Sequence, residues 1–365
     1  MMIKVCQCCI LYALLFHTTL GFSSRIRSSH LRNGIQLDSS STSSIHSNPI
    51  IVNPLRIAYQ GEPGAYSEKA SRELLGPRVM TVNYPSFEDV FKAVASRDAD
   101  YAVVPIENSL GGSIHANFDL LLRYDLHIIA EHEFRVEHYL LALPGVKRED
   151  IKKVMSHPQA LAQCDNYMRD LGYTPTPTYD TAGSAKIIKE QNLLDCAAIA
   201  SDLAGKTYGL DVVESNIEDH DNNFTRFLLL SRAPVSSLIP HDGQEVKTHL
   251  AIAALDRDDE LHRILKCFIL NGIAICRLEA RPIPVDVLKL LQSRAVERQQ
   301  LVREADSSTR LSFKRFPSMY HIEINRHVDD DDCQRLIHTL SSQDSCYVRV
   351  IGSYPSLGAA LVVIE

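Results

Sequence analysis

A chain of 365 residues has length for two domains, or three at most. It is 45% hydrophobic and 23% charged, proportions that exclude collagen-like, coiled-coil and intrinsically disordered classes. With 38 Lys and Arg against 45 Asp and Glu, the net charge is −7, which argues against a nucleic-acid partner, whose binders carry a basic footprint.

Residues 1–50 read as an address rather than as folded structure. Lys4 precedes a mostly apolar stretch, Val5–Leu20, and then small and polar Gly21, Ser23 and Ser24. That is the layout of a secretory signal, although an apolar stretch of this length could also be a membrane anchor. From Phe22 to Pro49 the chain is rich in Ser, carries Arg25, Arg27 and Arg32, and has Asp38 as its only acid, the composition of a transit segment. A signal followed by a transit segment, with Phe22 next to a cut after Gly21, resembles the bipartite leader of algae with secondary plastids. It implies a plastid protein that enters through an ER signal. Without the leader the chain keeps 34 bases and 44 acids, a net of −10.

Cys6, Cys8 and Cys9 lie in the apolar leader. Cys164, Cys196, Cys267, Cys276, Cys333 and Cys346 are widely spaced and form neither zinc-type pairs nor a dense disulfide framework. Free thiols suit a reducing compartment. No H-E-x-x-H is present either, so neither a metal nor a cofactor is expected.

From residue 55 to 233 short apolar runs alternate with helical patterns. Strands are expected at Leu55–Tyr59, Asp100–Ile106, Lys153–Ser156, Thr176–Tyr179, Ala197–Ala200 and Phe224–Leu230, and helices at Ser67–Leu75, Asn117–Leu122, Ala160–Leu171, Ala182–Glu190 and Asp202–Tyr208. Such alternation predicts an α/β fold with a mostly parallel sheet, whose ligands bind beyond the carboxyl ends of the strands.

Three motifs stand at such ends. Gln60–Ser67, containing Gly61, Pro63 and Gly64, reads as a turn into a helix capped by Ser67, where free N–H groups could hold an anion; a ligand-free turn is the alternative. Pro105–Ser113 ends a buried strand on Glu107, Asn108 and Ser109 and follows with Gly111 and Gly112, more hydrogen-bonding groups than a plain connection needs. Asn223-Phe224-Thr225-Arg226-Phe227 offers a hydroxyl and a guanidinium, which could meet a substrate carboxylate or an internal partner. Glu218, Asp219, His220 and Asp221 read as a solvated loop rather than as a metal site.

Together and in this order, these motifs resemble the prephenate dehydratase family, and the plant-type arogenate dehydratases most closely. The resemblance runs from Leu55 to Arg232 and includes Asp119–Leu122, Ser156-His157-Pro158-Gln159 and Asp180-Thr181-Ala182. It implies two α/β lobes like those of periplasmic binding proteins, with the cleft between them. The first lobe would be 55–130 plus 224–232, and the second 131–223. It also implies Thr225 as the catalytic residue. Ser67, Glu107, Asn108, Ser109, Gly111, Gly112, Thr181 (in a helix-capping segment), Asn223, Arg226 and Phe227 become the substrate-binding set.

The implied substrate, prephenate or arogenate, is a cyclohexadienol with a ring carboxylate and a C4 hydroxyl. Loss of CO2 and water makes the ring aromatic, so the enzyme chiefly orients the substrate and helps hydroxide leave as water. The other reading is a catalytically inactive amino-acid-binding regulator of the same fold. Intact Glu107-Asn108-Ser109 and Thr225-Arg226-Phe227 speak against it, because binding alone does not require the hydroxyl.

After a polar linker, Ala233–Glu245, strands are expected at Thr248–Ala254, Ala274–Glu279, Met319–Ile324 and Tyr347–Ile351, with helices at Glu260–Asn271 and Asp332–Ser341. This βαββαβ order is ferredoxin-like. Over 247–356 it resembles the ACT domain of the family, which implies phenylalanine as effector and subunits paired as a dimer or tetramer. Glu279-Ala280-Arg281-Pro282 stands where the family has Glu-Ser-Arg-Pro, and Gly352-Ser353-Tyr354-Pro355 matches its closing motif. Asp259-Glu260-Leu261 replaces a Gly-x-Leu, adding bulk and negative charge where close approach to the ligand needs glycine. Ile283–Phe316 reads as an insertion with a charged amphipathic helix at Asp286–Glu304.

Overall fold

The computed structural model describes residues 54–234, 245–254, 259–289, 293, 317–342 and 346–356. The expected leader, most of the linker and most of the insertion lie outside the described residues. Of the insertion's helix only 285–289 is described as a continuous turn; there Val287 is buried and Leu288 packs on the same core.

The first lobe comprises β1 (Arg56–Gln60), α1 (Tyr66–Leu75), β2 (Met80–Tyr84), α2 (Phe87–Ala95), β3 (Tyr101–Asn108), the short β4 (Gly112–Ser113), α3 (His115–Arg123) and β5 (His127–Arg135). The second holds β6 (Tyr139–Ala142), β7 (Lys153–Ser156), α4 (Pro158–Ala162), α5 (Asp165–Asp170), β8 (Thr174–Pro177), α6 (Thr181–Gln191), β9 (Cys196–Ala200), α7 (Asp202–Tyr208) and β10 (Asp211–Ser215). The chain then returns to the first lobe as β11 (Phe224–Ser231). Ala102–Ile106 of β3 are all buried, the apolar run of a strand covered on both faces.

The expected two-lobed α/β architecture is present, but the sheets are mixed rather than mostly parallel. β1 runs parallel to β2 and β3, and β7 to β8 and β9. The strands that enter a lobe straight from the other one, β6 and β11, pair antiparallel with their neighbours, because no crossover helix reverses the chain before them. The first crossing also falls later than residue 131, since β5 stays in the first sheet as far as Arg135. The two crossing segments hold each other: Val136 N donates to Asn223 O (2.8 Å) and Ile217 N to His138 O (3.2 Å).

The helix expected over Ala160–Leu171 is two helices, α4 and α5. Asp219 explains the break. Its carboxylate accepts from Asn166 N (3.1 Å) and Tyr167 N (3.4 Å) at the start of α5, and its own N–H donates to Gln163 O (2.8 Å). Glu218 accepts from His138 N (3.0 Å). This acidic pair is therefore built into the crossing rather than solvated, and among the described residues no group of three or more His, Cys, Asp or Glu is arranged to hold a metal.

The C-terminal unit is β12 (Val246–Ala254), α8 (Glu260–Leu270), β13 (Ile275–Pro282), β14 (Ser318–Ile324), α9 (Asp331–Ser341) and β15 (Cys346–Pro355), with strand order β13-β14-β12-β15, all antiparallel. That is the expected βαββαβ unit. Alternation divides its sheet into two faces. Leu250, Ile252, Ile322 and Ile324 meet α8 and α9, whereas Ala251, Ala253 and Met319 join the core of the first lobe.

β15 also pairs with β5, in parallel, at Gly352 and Ile128, so one sheet of ten strands runs from the first lobe through the C-terminal unit. A Cβ on Gly352 would collide with the Ile128 carbonyl and stand 2.8 Å from its Cβ. Gly352→Ala is therefore expected to lower stability by about 1–3 kcal/mol, the cost of forcing extra volume into a packed contact; urea unfolding of the variant measures it.

Candidate active site

The geometry begins with strand pairing. β3 and β11 place Asn108 opposite Thr225 and Glu107 opposite Arg226. Successive side chains on a strand point to opposite faces, so Asn108 with Thr225, and Glu107 with Arg226, form two sets that face away from each other.

On the first face Asn108 is fixed in orientation. Its Oδ1 accepts from Leu110 N (3.1 Å) and Gly111 N (2.7 Å). The amide nitrogen must then be the end that faces β11, where it donates to Asn223 Oδ1 (2.9 Å), Phe224 O (3.1 Å) and Thr225 Oγ1 (3.0 Å). Thr225, itself buried, thus accepts a hydrogen bond and keeps its own proton for another acceptor.

Behind this pair runs a chain of neutral groups from both lobes. Gln163 Oε1 accepts from Asn223 Nδ2 (3.1 Å) and lies 2.9 Å from His138 Nε2. Because an amide oxygen only accepts, that His138 nitrogen carries the proton, and its Nδ1 accepts from Tyr66 OH (2.7 Å). Burial lowers the His138 pKa from its ordinary value, in keeping with this neutral tautomer. Gln163, His138 and Tyr66 were not singled out by the sequence reading. The available signal was Gln163 as a polar interruption among Ala160, Leu161, Cys164 and Met168, all buried.

Several expected roles are corrected by this arrangement. Arg226 does not offer its charge to a ligand. It donates to Glu107 Oε1 (2.6 Å), to Glu131 Oε2 (2.9 Å) and in a fork to both Glu323 oxygens (2.8 and 3.0 Å). Glu107 shares that face and is paired with Arg226 and Arg277. Phe227 is buried in the first lobe's core, edge-on to Phe134 with centroids 6.0 Å apart.

Ser67 is not a cap either. Ala65 occupies the N-cap of α1, and Glu68 reaches back to accept from Gly64 N (2.8 Å), so a carboxylate of the chain already sits at that helix start. The glycine turn before it docks the lobes instead: Ser201 Oγ donates to Gly64 O (2.6 Å), and a Cβ on Gly64 would stand 2.6 Å from Ala204 Cα.

Thr181 is the first helical residue of α6, while Asp180 caps it by accepting from Gly183 N (2.7 Å). Ser109 stitches the loop to β11, donating to Asn222 O (2.7 Å) and accepting from Phe224 N (2.9 Å). Gly111 uses its N–H on Asn108 and leaves room for Gln159 of the second lobe, which any Cβ would meet. Gly112 has φ +78 and pairs with Asn108 through β4.

In the C-terminal unit Glu279 accepts from Ser113 Oγ (2.7 Å) and lies 3.3 Å from His115, while Arg281 forks onto Asp119 (2.8 and 3.0 Å). His115 and Asp119 are one turn apart on α3, and Glu279 and Arg281 two apart on β13, so both pairs meet in register. Pro282 ends β13. Asp259 stands at the N-cap of α8 without a capping side-chain bond, and Leu261 packs on the unit's own core.

His249 and His321, buried between this unit and Phe118, touch through Nε2 and Nδ1 at 3.0 Å. Burial pushes His249 down to about 4 and lowers His321 too, so the 3.5 Å approach of His249 to Glu323 is not a charged pair at neutral pH. An unfolded histidine takes up its proton near its ordinary value of 6.5, before these do. Their stabilising contribution is complete above that value and is lost as pH falls toward about 4. The urea midpoint should fall between pH 7 and pH 5 (about the span in which a free histidine charges), and His249→Gln should flatten that slope.

Fold and site together define a two-lobed α/β protein with a buried hydroxyl held by the neutral Asn108 amide where the chain crosses between lobes. The prephenate dehydratase family model matches residues 57–235. A relative described as arogenate dehydratase/prephenate dehydratase 1, chloroplastic, from Arabidopsis thaliana is 40% identical over 301 residues, 82% of this chain and 72% of that one. Among solved structures, a prephenate dehydratase from Arthrobacter aurescens in complex with L-Phe is 25% identical, with TM-score 0.68 over 82% of this chain and 90% of that one. Another, GqqA, described as a novel type of quorum quenching acylase, is 30% identical, with TM-score 0.67 over 82% and 98%. The chain belongs to the prephenate dehydratase family. It is a hydro-lyase of phenylalanine biosynthesis, acting on prephenate, arogenate or both.

Proposed function

We propose that Thr225 is the group that assists departure of the C4 hydroxyl. The observation that carries this reading is the hydrogen bond from Asn108 to Thr225 Oγ1, which leaves the threonine's own proton available to be donated to a ligand. In the reaction the C–C bond to the ring carboxylate breaks and releases CO2. Its electron pair enters the ring and the C4–O bond breaks. The departing hydroxide takes a proton through Thr225, whose hydroxyl is restored from solvent. A donor so placed contributes about 10²–10⁴ in rate.

Asn108, Gln163 and Asn223 complete the proposed site. No Lys or Arg is hydrogen-bonded or ion-paired to these residues or to Thr225 among the described residues. The substrate carboxylate therefore meets neutral donors, and poor solvation of the carboxylate favours loss of CO2.

The direct test is formation of phenylpyruvate from prephenate and of phenylalanine from arogenate; failure on both overturns the reading. Because amides and a hydroxyl do not titrate near neutrality, kcat should be flat between about pH 6 and 9. A kcat that rises or falls tenfold per pH unit in that range would point to a titrating acid instead.

The same reading places an ACT domain at 247–356 behind a catalytic domain at 55–232, with phenylalanine as effector and subunits paired through the ACT domain. Support comes from the βαββαβ order and from L-Phe bound to the bacterial relative. Calorimetric titration with phenylalanine tests it: heat with inhibition is expected, and neither would overturn it. A leader at 1–50 and a plastid location are proposed from the leader's composition and the chloroplastic relative.

A further inference from the structure

The reverse face of the Asn108–Thr225 pair is occupied by the C-terminal unit. Glu107 and Arg226, each the chain neighbour of one member of the pair, join through Arg226 Nε (2.6 Å). Both are then gripped by residues of that unit. Arg277, on β13, pairs with Glu107 and lies over the Phe118 ring at 5.3 Å. Glu323, on β14, receives the fork of Arg226 at 2.8 and 3.0 Å. Glu131 closes the cluster between Arg226 and Lys247, at 2.9 and 2.6 Å. Glu131, Glu323 and Arg226 are all under 10% exposed, so the forks act with little competing water, where a charged pair has its largest effect on geometry.

Alternation makes this a direct mechanical link. A displacement of Glu107 or Arg226 moves the backbone that also carries Asn108 or Thr225, and β3 and β11 are hydrogen-bonded to one another at these residues. Among the described residues Arg226 is the cation hydrogen-bonded to the Glu323 carboxylate.

We propose that Arg277 and Glu323, from the C-terminal unit, are positioning residues for the Asn108–Thr225 pair, so that this unit forms the back wall of the catalytic site. The inference deepens the reading of Thr225 as the acting hydroxyl and rests on it. Both residues act from the face opposite Asn108 and Thr225, through Glu107 and Arg226. Loss of either is expected to lower kcat and leave KM nearly unchanged, because misplacement of a reacting group acts on the transition state.

The test uses the full chain with Arg277→Met, Glu323→Gln and, as an interface control, Arg349→Met. Arg349 also crosses between the units, to Leu122 O, Tyr124 O and Asp125, but touches neither Glu107 nor Arg226. The first two variants should lose about tenfold or more in kcat with KM within about twofold, and the control should keep both. In parallel, amide exchange at 106–109 and 224–227 should rise in the first two and not in the control. Wild-type kcat in both test variants, or an equal loss in all three, overturns the proposal. If Glu323→Gln does not fold, Arg277→Met decides alone. If wild-type protein turns over neither substrate, the dehydratase reading fails by itself, and the exchange comparison still decides the positioning.

Discussion

Thr225→Ala should lower kcat by about 10²–10⁴-fold, the contribution of a positioned proton donor, while KM changes little. The reason lies in the hydrogen-bond directions. Asn108 Oδ1 is held by two backbone N–H groups, so its amide donates to Thr225, and removal of the hydroxyl leaves the site otherwise assembled. Thr225→Ser keeps a hydroxyl in reach of Asn108 and should retain a substantial part of the turnover. Initial rates on prephenate and arogenate check this. If Thr225→Ala stays within a few-fold of wild type, another group assists the leaving hydroxide.

Arg226→Met should cost about 3–5 kcal/mol of folding stability, the penalty for breaking a buried ion pair and leaving charge uncompensated. Glu107 would retain Arg277 and Glu131 would retain Lys247. Glu323 would lose the guanidinium that forks onto it, and most of the penalty arises there. The double variant Arg226→Met with Glu323→Met should therefore be more stable than Arg226→Met alone, since apolar replacement of both partners removes the orphaned charge. Urea unfolding of wild type, Arg226→Met, Glu323→Met and the double variant measures the coupling. A single variant as stable as wild type would mean that the cluster is solvated.

Much of the architecture could be read from local pattern. Lys153–Ser156 and Asp202–Tyr208 form over the expected residues, because an apolar run and a Ser-capped helix signal themselves within a few positions. β5 was missed. Its His127-Ile-Ile-Ala-Glu-His-Glu-Phe-Arg135 run is neither cleanly alternating nor uniformly apolar, since it is flanked by β11 on one side and meets β15 on the other. The break between α4 and α5 was equally invisible, because Asp219, which caps α5, lies more than fifty residues away.

By itself the sequence determined the strand–helix alternation of an α/β class, the βαββαβ order of the C-terminal part, and the chemistry-bearing segments around Asn108 and Thr225. Those are local properties: periodicity, turn residues and runs of hydrogen-bonding side chains. Only the tertiary structure decided which way each member of those segments points. Glu107 beside Asn108 and Arg226 beside Thr225 look equally suited to a ligand in one dimension, but pleating sends them to opposite faces. The carboxylates that neutralise Arg226 come from three strands spread over more than two hundred residues. No local rule states that convergence, since it exists only once the C-terminal sheet is joined to the first lobe.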